Sequence, residues 1–66
     1  MVKEIVLIIL LFNGELSLIS IPFAGTVHEC FAHGAQLRIE HATYNEEQNA
    51  WFMNQGPGTW QGFICE

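Results

Sequence analysis

The side chains with the most reactive chemistry gather in one stretch: His28, Glu29, Cys30 and His33, then Glu40 and His41, with a second cysteine at Cys65. Imidazole, thiolate and carboxylate are zinc ligands, but a site needs four of them converging, or three plus water. On a helix, Glu29 and His33 share a face at i, i+4, and His41 lies two turns beyond His33. Cys30 and His41 also share a face, yet eleven residues at 1.5 Å each separate them by about 16 Å. No third ligand has a position that converges, so no metal is expected. A thiolate at a helix start would have a lowered pKa, with His28 or His33 as its base. A bridged Cys30 would carry no thiolate, and no oxyanion arrangement accompanies it. Gln55-Gly56-Pro57-Gly58-Thr59 lacks the lysine and following helix of a phosphate loop and reads as a turn. The expectation is a non-enzymatic protein with no catalytic residue, metal or cofactor.

The cysteines have a structural use instead. The first turn of a helix packed on a sheet can meet the end of an adjacent strand, and Cys30 and Cys65 suit those two places. A Cys30–Cys65 bridge would close a loop of about 36 residues, worth roughly 4 kcal/mol in the chain-entropy model. That is comparable to the whole expected stability of so small a domain. In a reducing cytosol the pair would instead be two small apolar thiols. A bridge therefore favours an oxidising compartment or a virion, and its absence the host cytoplasm.

The elements that must position these residues begin with eight apolar residues, Ile5 to Phe12, behind Lys3. A membrane span needs about 20 apolar residues, and this run stops at Asn13-Gly14-Glu15; no span is expected. An apolar core behind a basic start, with Phe23-Ala24-Gly25 as small cleavage residues, also fits a secretory signal. The alternative expectation is thus a secreted or periplasmic factor with residues 1–25 removed. Against it, Glu4 offsets Lys3 and the apolar pattern resumes at Leu16-Ser17-Leu18-Ile19-Ser20-Ile21. Asn-Gly between two β-branched runs is the strongest short hairpin signal. A two-residue loop at Asn13-Gly14 would set Leu11 opposite Leu16, Ile9 opposite Leu18 and Ile8 opposite Ile19. One face would then carry Ile5, Leu7, Ile9, Leu11, Leu16 and Leu18, and the other Val6, Ile8, Leu10, Phe12, Ile19 and Ile21.

Pro22 cannot donate to a ladder and marks a strand end. Thr26-Val27-His28-Glu29 is a capping box. Val27, Cys30, Phe31, Gly34, Leu37 and His41 follow on one helical face, and the helix should fade between Ala42 and Asn45 into a polar loop. A second hairpin, Ala50–Met53 and Thr59–Cys65, flanks the Gly-Pro turn. Its last strand would turn Phe63 and Cys65 toward the helix, and Trp60 and Ile64 away. The expected fold is α+β, one domain over residues 1–66: a hairpin over about 4–22, a helix over about 27–43 and a strand or hairpin over about 50–65. Three to four antiparallel strands form its sheet, with the helix on one face and the disulfide as a staple. Phe23-Ala24-Gly25-Thr26-Val27-His28-Glu29-Cys30 at the helix start and Phe63-Ile64-Cys65 at the end resemble a loose group of small uncharacterised phage and bacterial proteins. These share a strand, strand, Phe-x-Thr-x-x-x-Cys helix start and aromatic-x-Cys finish. Here the threonine sits three residues after Phe23 rather than two, and Trp51 to Gly58 is an insertion. The resemblance implies this fold and no particular activity.

Charge narrows the partners. The 66 residues hold 7 acidic and 2 basic side chains, for a net charge of −5, and half are apolar. That composition excludes a disordered acidic tail. With Lys3 and Arg38 as the only cations, no nucleic acid is expected as partner. A helix over the Ile9/Leu11 side would leave Val6, Ile8, Leu10, Phe12, Ile19, Ile21, Trp60 and Ile64 uncovered, unless Trp51–Met53 folds across them. Eight large apolar side chains exceed what monomers ordinarily expose. The expected function is a small binding or assembly protein, phage-encoded in the resemblance, acting on a protein partner or on a second copy of itself.

Overall fold

The computed structural model describes Met1–Glu66. Its elements are β1 (Val2–Leu10), β2 (Leu16–Gly25), α1 (Val27–His41), β3 (Ala42–Asn45), β4 (Ala50–Met53) and β5 (Thr59–Cys65). The strands form one antiparallel sheet of five, in the order β2-β1-β5-β4-β3. The α+β class, the opening hairpin, the single helix and the Cys30–Cys65 disulfide agree with the sequence. No helix is long and apolar enough to cross a membrane.

The sheet has one strand more than the upper expectation, because β3 forms where a polar loop was expected. Helix α1 ends at His41, and Ala42 turns at once to φ −138°, ψ 158° while its N–H still donates to the Arg38 carbonyl. Thr43 and Tyr44 favour extended backbone. Tyr44 packs its ring 5.4 Å from that of Trp51, opposite it on β4. The connecting turn closes on Asn45, whose Oδ1 accepts from the Glu47 and Gln48 amides.

The first hairpin turns around Asn13-Gly14, but with three loop residues rather than two. Leu11 N–H donates to the Glu15 carbonyl and Gly14 N–H to the Leu11 carbonyl; Gly14 takes φ +90°. Only Gly14 needs positive φ here, the form in which a glycine closes a longer hairpin loop. Ile8 consequently faces Leu18 and Leu7 faces Ile19, one residue from the expected register. Because side chains alternate, that single step moves all of β2 to the opposite face.

The core lies between the sheet and α1. Ile5, Leu7 and Ile9 from β1 meet Cys30, Leu37, Ala42 and Trp60. Residues 1–25, which also fit a signal sequence, hold β1 and the edge strand β2. The buried line of the helix is narrow, Cys30, Gly34 and Leu37, while Val27, Phe31 and His41 of the expected face are exposed. A glycine in that line lets the helix approach the sheet closely, and Phe31 reaches only its flank, 6.0 Å from the Phe63 ring.

The helix start is the capping box. Thr26 Oγ1 accepts from the Glu29 amide at 3.1 Å, and Glu29 Oε1 accepts from the Thr26 amide at 2.9 Å. The Thr26 backbone N–H, then its hydroxyl, and lastly nearby His28 hold the Glu29 carboxyl below its ordinary pKa. A pKa lowered by folding contributes stability above the ordinary carboxylate range and loses it as pH falls through the lowered value. Thr26→Ala should cost about 1 kcal/mol. Glu29→Gln, which keeps an acceptor but cannot titrate, should flatten the acid limb in melting temperatures measured from pH 7 to pH 3. An acid limb identical in both proteins would show that Glu29 contributes nothing to it.

Candidate functional site

The reactive residues do not assemble into a site. Cys30 and Cys65 are joined, with their Cα atoms 6.2 Å apart. Glu29 serves the cap, Glu40 accepts from Gln36, and His33 stacks on Phe23 with centroids 5.3 Å apart. No three His, Cys, Asp or Glu side chains gather.

The sheet surface opposite α1 is the feature without a structural purpose. Residues paired across strands share a face, so the register fixes its membership. Val6 and Ile8 of β1 lie between Ser20 and Leu18 on one side and Ile64 and Gly62 on the other, while Leu10 lies between Leu16 and Thr59. Phe52, opposite Thr59, extends the face onto β4, and Phe12 from the hairpin tip leans over it with ring centroids 6.3 Å apart. Val6 is buried yet stands outside the core cluster, covered by its sheet neighbours. At Gly62 a side chain would meet nothing within 4 Å, so this position beside Ile8 is open to solvent.

Val6, Ile8, Leu10 and Ile64 lie on this side of the sheet, with Phe12 at its rim, but Val6 is buried rather than uncovered. Three expected members lie elsewhere. Ile19 and Ile21 face the helix because the longer turn shifts β2 by one residue. Leu16 and Leu18, expected in the core, take their place outside. Trp60 is also on the helix side, packed in the core. The cause is a bulge: Ile8 pairs with Gly62 and Ile9 with Trp60, leaving Gln61 unpaired. That extra residue returns Trp60 to the side of Phe63, its ring 6.4 Å away. Trp51 joins them, its face covered by the Arg38 guanidinium at 4.6 Å, so it does not fold across the open face. Leu16, Leu18 and Phe52 are the members that sequence reasoning missed; for Phe52, alternation along Trp51-Phe52-Met53 carries the only signal.

Leu16, Leu18, Phe12 and Ile64 leave 64%, 64%, 68% and 46% of their surface exposed. Together with their partly covered neighbours they present on the order of 500 Å² of apolar area, toward the upper end of the largest patch on a typical monomer. The chain matches no family model, no curated protein and no solved structure.

Proposed function

We propose that this is a non-enzymatic binding or assembly protein that works through the open face of its sheet. The observation that carries the reading is the contiguous set Ile8, Leu10, Leu16, Leu18, Phe52 and Ile64, on the side of the sheet away from the only helix. Burying it against a partner would contribute roughly 10 kcal/mol gross at about 25 cal/mol per Å², before association costs. The net charge of −5 keeps the protein soluble and disfavours acidic partners.

Ile64→Lys tests this with little risk to the fold, since Ile64 is 46% exposed and outside the core cluster. Light scattering over a concentration series should show association weakened about tenfold or more, the scale expected for a buried interface side chain, with an unchanged thermal melt. Association that is indifferent to Ile64→Lys would overturn the reading.

A further inference from the structure

We propose that the free edge of β2 pairs with the β2 edge of a second copy, antiparallel and centred on Leu18. This concerns the strand edge and stands independently of the open face. The sheet ends on one side at β3, four residues long, and on the other at β2, ten residues long. A long unpaired edge is a template for another strand unless charge, proline or a bulge blunts it. The proline and the bulge of this edge both lie at its far end, from Pro22 to Gly25, and no charged side chain occurs from Leu16 through Val27, so over Leu16–Ile21 two molecules of charge −5 can meet without opposing like charges.

The backbone fixes the register. Lys3 and Glu4 N–H donate to the Glu66 carbonyl, and Glu66 N–H donates to that of Glu4, so Glu4 turns its backbone toward β5 and away from its β2 partner Pro22. At the other end, Leu11 bonds Glu15. By the alternation of an antiparallel ladder, Ser17, Ile19 and Ile21 bond β1, while Leu16, Leu18, Ser20 and Pro22 point their backbone groups out to solvent. Pro22 has no N–H, which leaves Leu16, Leu18 and Ser20 as the outward donors clear of the loop and the proline.

Antiparallel pairing centred on Leu18 sets Leu18 against Leu18 and Leu16 against Ser20 of the other copy, so each of the three donors finds a carbonyl. Moving the centre one residue forward brings Pro22 into the ladder, and one residue back brings in Gly14 of the loop. In the Leu18 register, Glu15 lies across from Ile21, and the two Glu15 side chains stand about 20 Å apart along the strands. Leu16, Leu18 and Ile19, all exposed, gain neighbours across the seam.

Ser20→Pro is the test. It removes an outward donor, leaves the β1 ladder whole, repeats the phase of the native Pro22 and takes no apolar side chain from the open face. It should be made in both wild-type and Ile64→Lys backgrounds, the second with face contacts weakened. Expected is a dimer by light scattering in the Ile64→Lys protein, with the Leu16, Leu18 and Ser20 amides protected from hydrogen exchange as concentration rises. Ser20→Pro should raise its dissociation constant about tenfold or more and unprotect the remaining Leu16 and Leu18 amides, with an unchanged melting temperature in protein dilute enough to be monomeric. A dimer that survives Ser20→Pro, or one in which the three amides exchange freely, overturns edge pairing while leaving the Ile64→Lys result to judge the open face. A protein monomeric at every concentration also overturns it. Should Ser20→Pro disturb the fold, the exchange pattern of the Ile64→Lys protein decides alone.

Discussion

Reduction of the Cys30–Cys65 disulfide should lower the melting temperature by about 20 °C, which follows from a loss of about 4 kcal/mol in a domain of this size. The bridge joins residues 35 apart in sequence, and opening it restores that loop's freedom to the unfolded chain. Set against a total stability of roughly 3–10 kcal/mol for a chain this short, the loss leaves a marginal fold or none. The bridge also ties the first turn of α1 to the last residue of β5, beside Ile5 at the centre of the core. Cys30 is fully buried and Cys65 half-buried, so reduction should be brought to completion before the melt is recorded. Circular dichroism melts with and without reductant, repeated on a Cys30→Ala/Cys65→Ala protein, measure this. A shift of only a few degrees would show that sheet and helix packing suffice. A large shift would tie the folded state to places where thiols stay oxidised.

This staple was legible because there are only two cysteines and each sits at an element end: Cys30 one turn into a helix announced by Thr26 and Glu29, Cys65 at the close of an aromatic strand. The inward pattern of β1 was legible for a related reason, since alternation from Ile5 to Leu11 is independent of what the strand pairs with. Illegible were the two places where one residue decides everything downstream. Asn13-Gly14 fits a two-residue loop and a three-residue loop equally well as a string of letters. The choice depends on whether Phe12 pairs or joins the loop, and here Phe12 joins it and leans on Phe52, a contact 40 residues away in sequence. Likewise Gly62, a lone glycine inside a strand, allows a bulge but does not say that one forms or which way it turns Trp60; Trp60 is drawn inward because the core beside Ile9 and Phe63 has room for an indole. Ile19, Ile21 and Trp60 were thus misplaced by two single-residue offsets, while the existence of an uncovered apolar face survived both. Strand β3 was missed because Ala-Thr-Tyr-Asn follows the helix without glycine or proline to break it.

Gly34→Ala should destabilise the protein by about 2 kcal/mol, although alanine is the better helix former by about 1 kcal/mol. Gly34 is buried in the middle of α1, and a Cβ there would overlap the Phe63 ring. Retreat of the ring is opposed by Trp60, buried beside it at 6.4 Å between centroids, and less by the exposed Phe31 at 6.0 Å. Accommodation therefore requires helix and sheet to separate, an overpacking cost of roughly 3 kcal/mol that outweighs the gain in helix propensity. The decisive measurement is the sign of the effect in a second background. Phe63→Leu shortens the side chain that fills the space above Gly34, so Gly34→Ala added to it should stabilise by about 1 kcal/mol, giving a coupling near 3 kcal/mol between the two sites. Denaturant midpoints for the four proteins supply the cycle. If Gly34→Ala destabilises equally in both backgrounds, Phe63 is not what the glycine accommodates, and the close approach of α1 to β5 over this pair is wrong.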